Sequence, residues 1–301
     1  MQLLRNGVLG MVDKKLTYSE RDLAYVHCDL CGSDASTVLF EKDGFKYVKC
    51  LNCDLVHVNP RLRNSLEQQE AFYNNLAASF GDLDEQAQHD YTGSRRKRFL
   101  KEAAVYLPYN LNGRILDIGC GLGGFLKAAA KQGWKYPEGI EIAPQAAEYI
   151  SKFFPVKMKP FEEIQYDYYF DVIRLENVIE HVPSPRSIVA LAYKYLRPGG
   201  LFVISTPNYR SLSVRLCHEK WQYIAGADHI YLFTPKTISQ LLGKNGFKIV
   251  NIRTKGTHIT PKNHAKKPSS YNAIKFIEKV LDFFVRRTLW GHRLKVLAEK
   301  A

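Results

Sequence analysis

Cys28, Cys31, Cys50 and Cys53 form two Cys-x2-Cys knuckles with eighteen residues between them. Thiolates in paired knuckles converge on a tetrahedral ion. The residues between them, where Phe45-Lys46-Tyr47-Val48-Lys49 alternates, suit the hairpin of a zinc ribbon. Four thiolates on one ion leave no position for a substrate, so the expected zinc is structural and replaces a core that so small a lobe cannot build. A redox dithiol pair or an iron–sulfur cluster would use the same spacing. His27 and His57 are near enough in sequence to displace a cysteine. Cys120 and Cys217 have no base beside them in sequence and read as packing residues.

The second chemical signal is Ile115-Leu116-Asp117-Ile118-Gly119-Cys120-Gly121-Leu122-Gly123-Gly124, an apolar strand entering a glycine turn and then a helix. Glycines there let backbone N–H groups approach a ligand. About twenty residues on, Gly139-Ile140-Glu141 ends a second strand in an acid that can accept from both hydroxyls of a ribose. The pair indicates an adenosine-binding α/β protein. Gly119, Gly121 and Gly124 also satisfy the dinucleotide spacing, but Asp117 would repel a pyrophosphate and suits a ligand carrying an ammonium and a sulfonium, as S-adenosylmethionine does.

These groups need a sheet to position them. Phe170-Asp171-Val172-Ile173 reads as a further strand, and Leu196-Arg197-Pro198-Gly199-Gly200-Leu201-Phe202 as a helix end, a tight turn and another strand. In this order the blocks resemble the class I S-adenosylmethionine-dependent methyltransferases, over roughly residues 100 to 255. The resemblance implies a Rossmann-like, doubly wound, seven-stranded α/β sheet. It also implies that Asp117, Gly119, Cys120, Gly121 and Gly123 hold the methionine part of the cofactor and Glu141, followed by Ile142, the ribose. Phe161 and Glu162 would flank the adenine, and Glu176 and Asn177 complete the cofactor set. Lys159-Pro160 stands where the family often has an acid and a glycine. The ribbon placed ahead of such a core resembles a bacterial group acting on small molecules, sugar nucleotides or cell-surface glycan precursors.

A sulfonium methyl is already electrophilic, so the protein must position the acceptor in line and remove its proton. Histidine suits that task because its pKa lies near working pH. His181, in Glu176-Asn177-Val178-Ile179-Glu180-His181, follows the strand directly. One branch of the resembling superfamily uses Glu-x-x-Glu-His here to bind a divalent metal. Asn177 replaces the first acid, so only Glu180 and His181 carry over; the other reading is that these two orient the loop. His229 lies in the aromatic stretch Trp221–Thr234, where the resemblance implies a lid over the acceptor. The preceding Asp228 could orient His229 and raise its pKa; the other reading is that His229 hydrogen-bonds the loop backbone and Trp221 packs. Tyr223 and Tyr231 are weaker candidates, and Thr234-Pro235 reads as a helix cap.

The chain has 301 residues, 46% hydrophobic, enough for one full α/β core and an appended lobe. No run of about eighteen apolar residues is present, and the first ten residues lack a clear secretory pattern; the expected compartment is the cytoplasm. The expected organisation is an extension (1–24), the zinc ribbon (25–60), a helical cap (61–100), the cofactor-binding core (101–260, with a lid at 208–233) and a basic amphipathic helical tail (261–301). Arg95–Arg98 would lie on the second cap helix. The tail holds ten Lys/Arg against three Asp/Glu, about half of the net charge of +13. Ile274, Ile277, Val280, Leu281 and Phe284 recur in it at helical spacing, with Phe283, Trp290 and Leu294 extending the apolar side. Such a helix could dock on the protein's own core or a second copy in a homodimer, lie peripherally on an anionic membrane, or contact RNA. The expected acceptor is a small molecule or glycan precursor. The alternatives are an RNA acceptor, with salt-sensitive binding, and a scaffold that binds the cofactor without chemistry.

Overall fold

The computed structural model describes residues 22–63, 83–226, 228–257, 278, 280–282, 285 and 288–301. The expected N-terminal extension up to residue 21, the cap segment 64–82 and residues 261–277 of the expected tail lie outside the described residues. No described helix is long and apolar enough to cross a membrane.

A seven-stranded sheet carries the core. It comprises β6 (Arg114–Ile118), β7 (Tyr136–Ile140), β8 (Val156–Lys157), β9 (Phe170–Glu176), β10 (Leu196–Pro207), β12 (Phe247–Lys255) and β13 (Arg293–Lys300). Their spatial order is β12-β13-β10-β9-β6-β7-β8. β6 to β10 run parallel, and β13 runs antiparallel between β10 and β12. β9 reads Phe-Asp-Val-Ile-Arg-Leu-Glu and is buried from Phe170 to Leu175, as a central strand covered on both faces must be. Phe125, from α3 (Gly124–Lys131), and Ala103, from α2 (Gly93–Val105), pack on one face with Ile115, Val172 and Val203. On the other, α5 (Pro185–Tyr195) and α7 (Pro235–Lys244) set Ile188, Val189, Ile238 and Leu241 against Leu116, Ile173 and Phe202. α1 (Leu83–Asp90) precedes α2, which carries Arg95–Arg98. α4 (Pro144–Ser151) follows β7. Helix starts follow the sequence: Ser184 caps α5 ahead of Pro185, and Thr234 caps α7 ahead of Pro235.

The two knuckles flank β2 (Ser36–Lys42) and β3 (Phe45–Cys50), followed by β4 (Val56–Val58). A separate pairing joins β1 (Leu23–Ala24) to β5 (Arg61–Leu62). The ribbon is not a free-standing lobe. Cys28, Leu30, Cys53 and Leu55 share a hydrophobic cluster with α5 and α7. In addition β11 (Tyr231–Leu232), at the end of the expected lid, adds to the ribbon sheet, giving the order β11-β4-β3-β2. The lid also contains α6 (Leu212–Cys217).

The tail departs from expectation. Glu278, Val280–Asp282, Val285 and Thr288 are helical, and Val285 is buried. Residues 293–300, placed by the sequence reading in a helical tail, are instead strand β13, so the core does not end at residue 260. Leu294, Val296 and Ala298 are fully or almost fully buried. They recur with a period of two, the spacing of one face of a strand.

Candidate active site

The turn after β6 opens the site at the carboxyl edge of the parallel strands, the edge where open α/β sheets bind ligands. Gly119 has φ 73°, and a Cβ there would lie 2.5 Å from Val178 Cγ2. Gly121, φ 53°, has nothing within 4 Å of a Cβ position, so its backbone faces open space. Gly123 precedes α3. Glu141 ends the neighbouring strand with both carboxylate oxygens engaged: one accepts from Gly121 N–H at 2.8 Å, the other from Ala143 N–H at 2.9 Å. Burial raises its pKa against these backbone donors. Each oxygen keeps a second lone pair for a ligand hydroxyl. Ile142 is half-buried beside it. The cradle thus fits an adenosine with its ribose at Glu141.

Asp117 is not free to meet an ammonium. It is 1% exposed and accepts from Arg174 Nη1 at 2.7 Å. The same guanidinium donates to Glu102 at 2.8 Å and Glu176 at 3.3 Å, Glu102 also accepts from Tyr106 and Lys295, and Arg293 approaches Glu176 at 3.4 Å. Burial pushes the Asp117 carboxyl up to about 6. Arg174 opposes the rise and Glu102 and Glu176 reinforce it. Arg174 itself faces three carboxylates, which overcome its burial and hold it protonated. Asp117 is therefore held by a cation that sequence reasoning missed. The available signal was an arginine set between Ile173 and Leu175 in a strand that also carries Asp171 and Glu176. Asn177, just past Glu176, is exposed with φ 55°. Phe161 is 2% exposed and packs on Tyr195 within the cluster that also holds Ile118 and Ile140, the last residues of β6 and β7; Glu162 is the exposed member of that pair.

Beyond the strand ends the lid brings the two predicted histidines together, their rings 4.6 Å apart and edge to face. Asp228 joins them, but not in the expected order. Its Oδ1 lies 2.7 Å from His181 Nδ1, whereas its Oδ2 is 3.7 Å from His229 Nε2. Burial alone would lower His181; Asp228 and Glu180 bring it up to about 9. His229, 2% exposed, is lowered to about 4 by burial and by the neighbouring His181 cation. The carboxylate thus raises the other histidine, correcting the expectation for His229. His229 Nδ1 lies 2.9 Å from the Tyr223 carbonyl, which makes that nitrogen the donor and leaves the lone pair on Nε2. The Tyr223 ring stacks on His229 at 5.7 Å. Glu180 is buried; its Oε2 accepts from Thr206 at 3.0 Å, while Oε1 has no hydrogen-bond partner. Ligand atoms of Glu180, His181 and His229 lie within 4.8 Å of one another.

The four ribbon thiols are likewise mutually within 4.8 Å, with Cys28–Cys53 and Cys31–Cys50 sulfur pairs at 3.5 Å. Burial pushes the Cys28 thiol up to about 11 and that of Cys53 up as well. Four soft donors converging at this spacing fit a zinc ion. Neither neighbouring histidine joins them: His27 pairs with Asp34, and His57 is buried beside Tyr231. Cys120 packs against Gly139, and Cys217 in the cluster around Trp221.

A methyltransferase-domain family profile matches residues 83–252. The ubiquinone biosynthesis O-methyltransferase of Neisseria meningitidis serogroup A is 28% identical over 135 residues, 41% of this chain and 53% of that protein. Its namesake from Pasteurella multocida is 30% identical over 154 residues, 44% of this chain and 60% of that protein. The chain spans about half the length of these curated relatives. An S-adenosylmethionine-dependent methyltransferase structure from Archaeoglobus fulgidus superposes with a TM-score of 0.50 at 23% identity, over 68% of this chain and 94% of that one. A chain of the complex between the Haloferax volcanii Trm112 methyltransferase activator and a methyltransferase gives 0.51 at 15% identity, over 73% and 96%. At these identities the structural likeness establishes the fold. With more than half of its length inside the profile, the chain belongs to the methyltransferase-domain family.

Proposed function

We propose that this protein transfers a methyl group from S-adenosylmethionine to a compact small-molecule acceptor, with a nucleotide-sugar or glycan precursor within that class. The observation that carries the reading is the meeting, at one sheet edge, of a glycine turn tied to Glu141 and a His181–Asp228–His229 cluster in which His229 is buried and the other two are half-buried. When bound, the cofactor supplies an electrophilic methyl on a sulfonium. Glu141 holds the ribose, and the backbone of Gly119–Gly121 accommodates the methionine end. His229 Nε2, neutral and bearing the lone pair, takes the acceptor's proton. Asp228 holds His181 as a cation at the edge of the cleft. Trp221 and Tyr223 exclude water around the pair. The named O-methyltransferase relatives favour an oxygen acceptor.

The experiment is incubation of the protein and methyl-labelled S-adenosylmethionine with cell extract separated into RNA, lipid and soluble pools. Label in the soluble or lipid pool supports the reading. Nuclease-sensitive label would replace it with an RNA acceptor, and cofactor binding without label in any pool would leave a scaffold.

A second reading rests on Glu180 Oε1, which accepts no hydrogen bond and lies 3.9 Å from His181 Nε2. Glu180, His181 and His229 could together hold a divalent cation that polarises an acceptor hydroxyl. Label transfer that vanishes with EDTA and returns with Mg2+ or Mn2+ supports it, whereas EDTA-insensitive transfer removes it.

A further inference from the structure

Both histidine-bearing segments are gripped by the cysteine ribbon. From the first knuckle, Asp29 accepts from Ser184 Oγ–H at 2.7 Å and from Arg186 N–H at 2.8 Å, fixing the turn that follows His181. From the second knuckle the chain enters β4, which pairs with β11: Tyr231 faces His57, Leu232 faces Val56, and Val58 N–H donates to the Ile230 carbonyl at 3.0 Å. That strand begins two residues after His229. Arg61 closes the frame, donating to Tyr231 Oη at 2.8 Å and to the Pro183 carbonyl at 3.0 Å. Tyr231 N–H reaches the Glu180 carbonyl at 3.2 Å, and Phe45 fills the space a side chain at Gly226 would need. None of these contacts involves the glycine turn or Glu141.

We propose that the zinc-loaded ribbon is a positioning element of the active site, with Asp29 and Arg61 as positioning residues that hold the His181 and His229 segments in register. The knuckles fix Asp29 and the start of β4. Releasing the four thiols from zinc therefore frees both anchors while the cofactor cradle, built on β6 and β7, stays formed. The proposal rests on the reading that these histidines serve methyl transfer. Its test reads backbone protection and cofactor affinity, so a protein that transfers no methyl group would overturn that reading and leave the anchoring intact.

The test is hydrogen–deuterium exchange of the full chain, zinc-loaded and chelator-stripped, with zinc measured by mass spectrometry and S-adenosylmethionine affinity by calorimetry. Stripping is expected to speed exchange in segments 178–183 and 228–233 about tenfold or more, while 117–124 and cofactor affinity change less than about threefold, the range separating local opening from global unfolding. Arg61→Ala and Asp29→Ala, with zinc retained, should loosen the same two segments and spare 117–124. Unchanged protection in 178–183 and 228–233 after zinc removal would overturn the proposal. If stripping unfolds the whole chain, the zinc-retaining variants decide: selective loosening sustains the proposal, and wild-type protection overturns it.

Discussion

Replacing Arg174 with Met should cost about 3–5 kcal/mol, the range for removing one partner of a buried charge network, and the cost should depend on pH. Glu102 would keep Lys295 and Tyr106, and Glu176 would keep Arg293. Among the described residues, Asp117 has no cation at contact distance other than Arg174. In the wild type its carboxyl is raised by burial from 3.8 to about 6, equivalent to about 3 kcal/mol of destabilisation at neutral pH. The sign follows from the raised value: stability is complete below about pH 4 and declines as pH rises through 6. Without Arg174 the buried carboxyl keeps its proton. At about pH 7.5 that costs about 5 kcal/mol against an ionised unfolded chain, and at about pH 5.5 it costs about 2, where the wild type already bears nearly the same amount. The Asp117 share of the Arg174→Met cost should therefore be about 2 kcal/mol at the higher pH and close to zero at the lower. Urea unfolding of wild type, Arg174→Met and Arg174→Met/Asp117→Asn at both pH values measures this share. The double variant should recover that difference. Equal costs of Arg174→Met at the two pH values, or no recovery by Asp117→Asn, would refute the assignment of Asp117 to the arginine.

Glu141→Ala should weaken S-adenosylmethionine binding at least tenfold by calorimetry while thermal stability changes by only a few degrees; retained affinity would place the ribose elsewhere. His229→Gln should abolish label transfer and leave cofactor affinity within about threefold, since the contacts of His229 are with Tyr223, His181 and Asp228 rather than with the glycine turn or Glu141. The His181–Asp228 pair stabilises the fold fully below His181's ordinary value of 6.5 and loses that contribution as pH rises through about 9. Protection of segment 228–233 should therefore fall across that window in the wild type, and Asp228→Asn should abolish the dependence.

What was legible in the sequence was what neighbours in the chain encode. The cysteine knuckles, the glycine turn and the caps Ser184-Pro185 and Thr234-Pro235 each act within a few residues, so spacing alone exposes them. Glu141 was legible because the strand-turn-helix unit fixes the distance to the next strand. Arg174 was not: its partners come from α2, β6 and β9, and nothing local couples residues 102, 117 and 174. Asp228 shows the same limit at close range. Adjacency suggested His229 as its partner, but the loop turns the carboxylate toward His181, a contact made across 47 positions of chain. Leu294, Val296 and Ala298 were absorbed into a helical pattern because the preceding segment is helical and the alternation is short.

β13 gives the molecule an order of assembly. It is the last element of the described chain, yet it lies inside the sheet, with β10 on one side and β12 on the other. As the polypeptide leaves the ribosome, the cradle, the lid and β12 are all available before residues 293–300 emerge, and until then both neighbouring strands present open edges. Those edges are templates for pairing with another chain. The parallel half of the sheet can form early from local βα units, whereas closure waits for the final strand to thread between two finished neighbours. Synthesis, and not only thermodynamics, thus decides when the facing edges of β10 and β12 are paired.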